Sequence, residues 1–294
     1  MGDTVFAQYR EAGLLMWRGF TLEQFANQCY SNDADLGKGR QMPVHYGSRA
    51  LQYQTISSPL GTQIPQAVGA AYHHKLQGKP NVTACFFGDG AASTTDFHSG
   101  LNFAATLQAP VIFFCRNNGY AISTPVTDQY AGDGIISRAP GYGMAAIRVD
   151  GNDLFAVHAA MRHARAYALE HSAPVLIEAM TYRLGHHSTS DDSTRYRDKD
   201  EVEAFEDRSD PLARVEKFLR KQDWISASDA ADAKNEEKRA VLKALADAEK
   251  RGPPALDEMF TDVYFEMPPR LKEQRAKLQE HLKKHKNKYD QALH

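Results

Sequence analysis

The stretch VTACFFGDGAAS at residues 82–93 runs from an apolar segment, Val82–Phe87, directly into a carboxylate, Asp89, that lies between two glycines. A second stretch, VIFFCRNNGY at residues 111–120, repeats this arrangement: the apolar segment Val111–Cys115 leads into polar side chains. Both segments are rich in β-branched or aromatic residues and too short for helices, which is typical of buried strands. We therefore expect two strands, each followed by a polar turn.

Two further apolar segments, Ala145–Val149 and Val175–Ala179, extend the pattern. The four segments begin 29 to 34 residues apart, and a strand–helix–strand crossover takes about 30 residues or more. The sequence therefore predicts an α/β fold, a parallel sheet with crossover helices, followed by a C-terminal helical region. Asp153 is the expected N-cap of one crossover helix. The residues expected on one face of that helix are Val157, Ala160, Met161, Ala164 and Ala168.

The composition changes after the last expected strand. Residues 183–200 contain almost nothing apolar and are expected to form an exposed loop of low intrinsic order. Asp210 followed by Pro211 predicts a helix start, and a later helix is expected to end before Gly252. We divide the chain into an α/β domain at 1–200, including this loop, and a helical C-terminal region at 201–294. The basic tail at 266–294 is expected to be a solvated helix or, alternatively, a docking arm for a partner.

The composition excludes several classes of protein. Of 294 residues, 42% are hydrophobic and 24% charged, as in ordinary globular proteins, and the formal charge is −2. This charge gives no reason to expect a nucleic acid or membrane partner. No run of about 18 apolar residues is present, and the first twenty residues do not resemble a signal peptide. Three cysteines without a C-x-x-C pair are expected to be reduced thiols in an intracellular compartment.

The Gly88-Asp89-Gly90 turn is a candidate phosphate site, although a plain tight turn has the same residues. A dinucleotide-binding loop would have glycine in place of Ser93, and Asp89 would repel a bare diphosphate. These two features disfavour a nicotinamide or flavin dehydrogenase. A bridging divalent cation would reverse the repulsion. Because parallel strands end at one edge, Asn118 is expected near Asp89, and such oxygen donors suit Mg²⁺.

The spacing of the glycine turn and the asparagine pair resembles the diphosphate–magnesium signature of thiamine diphosphate enzymes. The resemblance extends over essentially the whole chain to one family, the alpha subunits of branched-chain 2-oxo acid dehydrogenase, the decarboxylating component of that complex. Compared with that family, this chain is expected to lack the usual N-terminal stretch, including any mitochondrial presequence. The similar motifs are QYREAG at 8–13, LGKGRQMPVHYG at 36–47, TISSPLGTQIPQAVGAAY at 55–72, RNNGYAIST at 116–124, RVDGNDLFAV at 148–157 and YRLGHHSTSDDS at 182–193.

The resemblance implies a role for each matching residue. His187 and Arg183 would be catalytic. For His187, an acid–base or orienting role is favoured over a metal site formed with the adjacent His186. Ser188 would be a regulatory phosphorylation site, whereas the family's second phosphorylated serine aligns with Asp198. The implied cofactor contacts are Tyr9, Arg10, Ser58, Leu60, Gly88, Gly90, Ala91 and Arg116; the magnesium ligands are Asp89, Asn118 and the carbonyl of Tyr120; and the potassium ligands are Ser57, Pro59, Thr62 and Gln63.

The resemblance also implies an activity and its partners. The activity is oxidative decarboxylation of branched-chain 2-oxo acids with reductive acyl transfer to a lipoyl group, using thiamine diphosphate, Mg²⁺ and K⁺. A beta subunit would supply the activating glutamate in an alpha2–beta2 heterotetramer. A dihydrolipoyl acyltransferase core, a kinase and a phosphatase would be further partners, in the mitochondrial matrix. The alternatives are a pyruvate-type alpha subunit and a truncated, non-catalytic scaffold subunit. The chain departs from the family at Thr94-Thr95-Asp96, where an acidic-Gly-Asp sequence is usual.

Overall fold

A computed structural model describes residues 2–289, without the side chain of Asp207. In this part of the chain the strands are β1 Thr4–Phe6, β2 Thr83–Gly88, β3 Val111–Asn117, β4 Tyr120–Ala121, β5 Thr124–Pro125, β6 Ala145–Asp150 and β7 Val175–Met180. The α-helices are α1 Ala12–Trp17, α2 Leu22–Tyr30, α3 Gln63–Leu76, α4 Thr95–Leu107, α5 Val126–Gln129, α6 Leu154–His171, α7 Lys199–Ser209, α8 Pro211–Lys221, α9 Ala227–Glu249 and α10 Pro269–Lys284. Single 3-10 turns occupy Asp89–Ser93, Ile136–Arg138, Pro140–Tyr142, Ser193–Arg195, Leu256–Phe260 and Lys286–Lys288.

Five strands form a parallel sheet in the order β1-β2-β3-β7-β6 within the described residues. The four strands expected from the sequence are therefore confirmed, as is the parallel α/β class. The pairing of Gly88 with Arg116 sets the carboxyl ends of β2 and β3 level with each other. The polar turns that follow these two strands consequently meet at one edge of the sheet.

Both faces of the sheet are covered by helices. Alternate residues of β3 point to opposite faces: Phe113 packs with buried residues of α3 and α4, whereas Ile112 packs with α6. Helix α6 begins as predicted, because the Asp153 carboxylate accepts hydrogen bonds from the N–H groups of Phe155 and Ala156. Its buried face consists of Ala160, Ala164 and Ala168. Asp210 likewise caps α8 through the N–H of Ala213.

The described residues form two compact units. The first comprises the residues up to Ala12 together with Arg49–Ala233, and it contains the sheet; the second comprises Gly13–Ser48 and the residues from Lys234 onward. This grouping differs from the predicted division at 200, because α2 packs through Ala26 on Ala244 and Ala248 of α9. The candidate tail forms α10, with Leu282 buried, and its last residues, 290–294, lie outside the described residues. Among the described residues, every helix is too short or too polar to cross a membrane.

Candidate functional site

A cavity of about 230 Å³ lies at the carboxyl ends of β2 and β3. It belongs entirely to the sheet-containing unit. All the residues assigned to the cofactor or to magnesium, except Ser58, line this cavity. Of the two residues assigned to catalysis, His187 lines it and Arg183 does not. The lining residues are Gln8, Tyr9, Arg10, Leu60, Gly88, Asp89, Gly90, Ala91, Arg116, Asn118, Tyr120, Ala121, Ile122 and His187.

Asp89 is buried, with 1% of its surface exposed, at the start of the 3-10 turn that follows β2. Its Oδ1 accepts a hydrogen bond from the N–H of Asn118 at 3.3 Å, and its Oδ2 accepts one from Nε2 of Gln129 at 3.0 Å. The structure thus brings Asp89 and Asn118 together, as the strand spacing predicts. Gly90 keeps this turn close to its neighbour, because a Cβ there would lie 2.9 Å from the Cβ of Ala121.

The oxygen atoms around Asp89 could hold a divalent cation. Asn118 Oδ1 accepts the Tyr120 N–H at 3.1 Å, which fixes the amide while leaving its second lone pair free. Among the described residues there is no group of three or more His, Cys, Asp or Glu side chains that could hold a metal, so a zinc-type centre does not fit. One carboxylate, one amide oxygen and one backbone carbonyl do fit Mg²⁺, which takes its remaining ligands from phosphate and water.

Cationic side chains form another part of the cavity wall. Arg116 lies at the end of β3, and its Nη2 is 3.0 Å from Oε1 of Glu11. The second carboxylate oxygen, Oε2, accepts the N–H of Gln8 at 2.7 Å, so Glu11 links the segment that carries Tyr9 and Arg10 to β3. Burial raises the pKa of Glu11, and Arg116 opposes that rise. The sequence reasoning missed Glu11, although a carboxylate directly after Arg10 was a usable signal.

His187 carries its proton on Nε2. Its Nδ1 lies 3.2 Å from Nη2 of Arg10 and 3.5 Å from Nη1 of Arg183, and a guanidinium can only donate. We therefore assign Nδ1 as the acceptor and Nε2 as the N–H donor. Arg10 also donates to the His187 carbonyl at 2.8 Å, which holds the backbone. Burial lowers the pKa of His187, both arginines lower it further and Asp191 opposes them, so the site favours the neutral ring.

The loop at 183–200 is not uniformly exposed, and that expectation is wrong at Ser193 and Arg197, which are both 6% exposed. The Arg197 guanidinium donates to the carbonyl oxygens of Arg183 and Gly185 and to Ser193 Oγ. This polar segment is held by hydrogen bonds and by the packing of Arg197 over the rings of Tyr120, Tyr182 and Tyr196. Ser188 itself is exposed, immediately beside His187.

Further hydrogen bonds hold His187 against the rest of the loop. Asp191 Oδ2 accepts the His187 N–H at 2.7 Å and the Tyr196 hydroxyl at 2.6 Å. Arg183 donates to the same Tyr196 hydroxyl at 2.7 Å. Arg183 therefore orients the loop that carries His187, although its side chain lies outside the cavity lining.

The segment Ser57–Gln63 contains the four residues assigned to potassium. Thr62 Oγ1 donates to the Pro59 carbonyl at 3.1 Å, and the buried Gln63 donates through Nε2 to the Phe86 carbonyl of β2. These bonds form a braced turn beside the sheet, of which Leu60 lines the cavity. The potassium site itself stays a prediction.

The departure at Thr94 has a local structural role. Its Oγ1 donates to the Ala91 carbonyl at 2.7 Å and accepts the Phe97 N–H at 3.4 Å, so Thr94 is the N-cap of α4. Thr94 does not line the cavity, so the departure from the family sequence at this position does not alter a proposed cation ligand.

Comparison with known proteins places the chain in one family. The model of the dehydrogenase E1 component family matches residues 1–257. The chain is 53% identical over 98% of its length to the mitochondrial 2-oxoisovalerate dehydrogenase subunit alpha of Dictyostelium discoideum, and 54% identical over 98% to those of Caenorhabditis elegans and Homo sapiens. It covers 66%, 67% and 64% of these proteins, so it spans about two thirds of the length of the relatives it matches.

A solved structure presented as a thiamin diphosphate-dependent enzyme from Mycobacterium smegmatis has a TM-score of 0.41 and 19% identity, over 62% of this chain and 29% of that one. This score is too low to bear on the assignment. The family match covers most of the chain, and the identity to the alpha subunits is more than half, which confirms the family resemblance carried by the motifs. The chain belongs to the dehydrogenase E1 component family.

Proposed function

We propose that this chain is the alpha subunit of the decarboxylating component of a branched-chain 2-oxo acid dehydrogenase. The reaction is oxidative decarboxylation of the 2-oxo acid with reductive acyl transfer to a lipoyl group. The observation that carries the proposal is the cavity in which Asp89, Asn118, Arg10 and Arg116 meet, since this set suits a diphosphate bound through a divalent cation. The names of the similar proteins support the substrate class.

The chain's own residues bind and orient the cofactor. Asp89, Asn118 and the Tyr120 carbonyl hold Mg²⁺, while Arg10 and Arg116 donate to the diphosphate, a task for which guanidinium groups are suited. When bound, thiamine diphosphate supplies the electron sink for decarboxylation. His187 presents its Nε2–H as a hydrogen-bond donor, because the two arginines occupy Nδ1.

Ancillary sites complete the assignment. Tyr9 donates to the diphosphate with the two arginines, and Ser58, Leu60, Gly88, Gly90 and Ala91 complete the cofactor contacts. A potassium ion bound by Ser57, Pro59, Thr62 and Gln63 braces the turn that carries Leu60.

The catalytic site is shared with a beta subunit in an alpha2–beta2 heterotetramer. Among the described residues that line the cavity there is no glutamate, and Glu11 nearby is committed to Arg116 and the Gln8 N–H. This fits what the family resemblance implies, that the glutamate activating the cofactor comes from the beta subunit. The lipoyl-bearing acyltransferase core accepts the acyl group, and a kinase and phosphatase act on Ser188. The similar proteins are mitochondrial, which supports a location in the mitochondrial matrix.

The test is reconstitution of the full chain with its beta subunit. We expect Mg²⁺-dependent binding of thiamine diphosphate by isothermal titration, and faster decarboxylation of 2-oxoisovalerate than of pyruvate. Asp89→Asn removes the only carboxylate that lines the described cavity and should weaken cofactor binding. Preference for pyruvate would make the chain a pyruvate-type subunit. Cofactor binding without turnover would make it a scaffold, and unchanged affinity in a folded Asp89→Asn variant would refute the cation site.

A further inference from the structure

Gln129, at the end of α5, contacts the candidate cation site only through Asp89. Its Nε2 donates to Asp89 Oδ2 at 3.0 Å and to the Thr124 carbonyl at 3.1 Å. Gln129 does not line the cavity, so it is not itself a candidate ligand. Any influence that it has on a bound cation passes through the Asp89 carboxylate.

The orientation of the Gln129 amide is fixed by its two acceptors. A flipped amide would place its oxygen against a carboxylate and a carbonyl, so the nitrogen must face them. The amide oxygen, Oε1, is then buried without a hydrogen-bond partner. A buried acceptor without a partner destabilises a fold. What glutamine contributes at this position is therefore the pair of hydrogen bonds donated by Nε2, of which one goes to the buried Asp89 carboxylate.

The bond from Gln129 is the better of the two polar contacts that hold Asp89. The other contact, from the Asn118 N–H to Oδ1, is 3.3 Å long, beyond the usual range for an N–H···O bond, whereas the Gln129 bond lies within it. Without Gln129 the carboxylate would keep only the longer contact and could rotate. Rotation would move its oxygens away from the position that a cation requires.

We infer that Gln129 is a positioning residue that fixes the Asp89 carboxylate for the divalent cation. This inference rests on the proposed function, because it takes Asp89 as the cation's ligand. Outer residues that orient metal ligands typically contribute 10–100-fold to metal affinity.

The test is Gln129→Leu in the full chain assembled with its beta subunit. This variant has a similar side-chain volume but removes both the donor and the unpartnered oxygen. Thiamine diphosphate is titrated calorimetrically at a series of MgCl₂ concentrations, and thermal unfolding is measured without cofactor. We expect the MgCl₂ concentration for half-maximal binding to rise 10–100-fold at a temperature at which both proteins are folded. The unfolding midpoint without cofactor should fall, because the variant leaves the buried Oδ2 of Asp89 without its donor. Thr127→Ala, at an exposed position of the same helical turn, is the matched control and should change neither quantity.

Each other outcome counts against the inference. An unchanged Mg²⁺ requirement in folded Gln129→Leu would overturn it, and a lowered unfolding midpoint with that unchanged requirement would indicate a merely structural role. Asp89→Asn separates this failure from failure of the proposed function. If Asp89→Asn raises the Mg²⁺ requirement and Gln129→Leu does not, only the role of Gln129 is refuted. If neither variant raises it, both proposals fail.

Discussion

Glu178 is a fully buried carboxylate on the strand β7, and Glu178→Gln should destabilise the protein substantially. Oε1 accepts from Asn117 Nδ2 and from the Ile135 N–H, both at 2.8 Å. Oε2 accepts from the Ile136 N–H and from Arg148 Nε, both at 3.1 Å. A glutamine can keep the first pair of bonds, but its NH₂ group then faces the second pair of donors.

The cost follows from these four contacts. The N–H of the half-buried Ile136, left without an acceptor beside the buried side chain, costs about 1–3 kcal/mol. The Arg148 side chain is 34% exposed and keeps its bonds to Asp133, so loss of its ion pair with Glu178 adds at most about 1 kcal/mol. The two retained bonds also become neutral, and the expected total is about 2–4 kcal/mol. For a chain of this size that corresponds to a fall in Tm of roughly 3–7 °C.

The assay is urea and thermal unfolding, with Asp133→Asn as the matched control. Asp133 pairs with the same arginine but its side chain is 83% exposed, so the control should lose no more than about 1 kcal/mol. Because glutamine keeps the bond from Asn117 Nδ2, and Asn117 Oδ1 accepts the Gly119 N–H, the turn that carries Asn118 should stay in place. If Glu178→Gln is as stable as Asp133→Asn, the buried carboxylate does not hold this region together.

Three further predictions concern the cavity and its loop. Gly90→Ala places a Cβ 2.9 Å from that of Ala121 and should cost about 1–3 kcal/mol in urea unfolding and weaken cofactor binding; wild-type values for both would contradict the close approach. The folded state holds the pKa of His187 below its ordinary 6.5, so the unfolded chain binds the proton first and stability falls as pH drops below 6.5. His187→Asn should flatten the dependence of the free energy of unfolding on pH below 6.5. An unchanged slope would argue against a lowered pKa of His187 in the folded state. Phosphorylation of Ser188 adds a charge of about −1.5 to −2 near Asp191, whose carboxylate holds the His187 N–H. It should increase proteolysis of the loop and lower turnover in the complex; no change in either would show that the loop is not a switch.

The sequence predicted the central strands because their signal is local. Val111–Cys115 is an apolar run of strand length, and its distance from the preceding run predicts parallel pairing of the two strands. The meeting of Asp89 and Asn118 followed from the same geometry, since it depends only on where two neighbouring strands end. The caps at Asp153 and Asp210 were likewise readable from the residue types.

The features that the sequence did not reveal depend on contacts between distant residues. The strand β1 has three residues, too few for a period, and it exists because it pairs with β2. Arg197 sits in a polar segment, and its burial depends on carbonyl groups 12 to 14 residues earlier in the chain. Gln129 donates to Asp89, and Glu11 pairs with Arg116. No single sequence motif contains both members of either pair.

Anomalous diffraction tests the cation site most directly. The full chain with its beta subunit would be crystallised with thiamine diphosphate and with Mn²⁺ in place of Mg²⁺. The account predicts one anomalous peak in the cavity, about 2.1 Å from oxygen atoms of Asp89, Asn118 and the Tyr120 carbonyl, and in contact with the diphosphate. A cofactor bound with no peak at Asp89, or with the peak held by other residues, would contradict it.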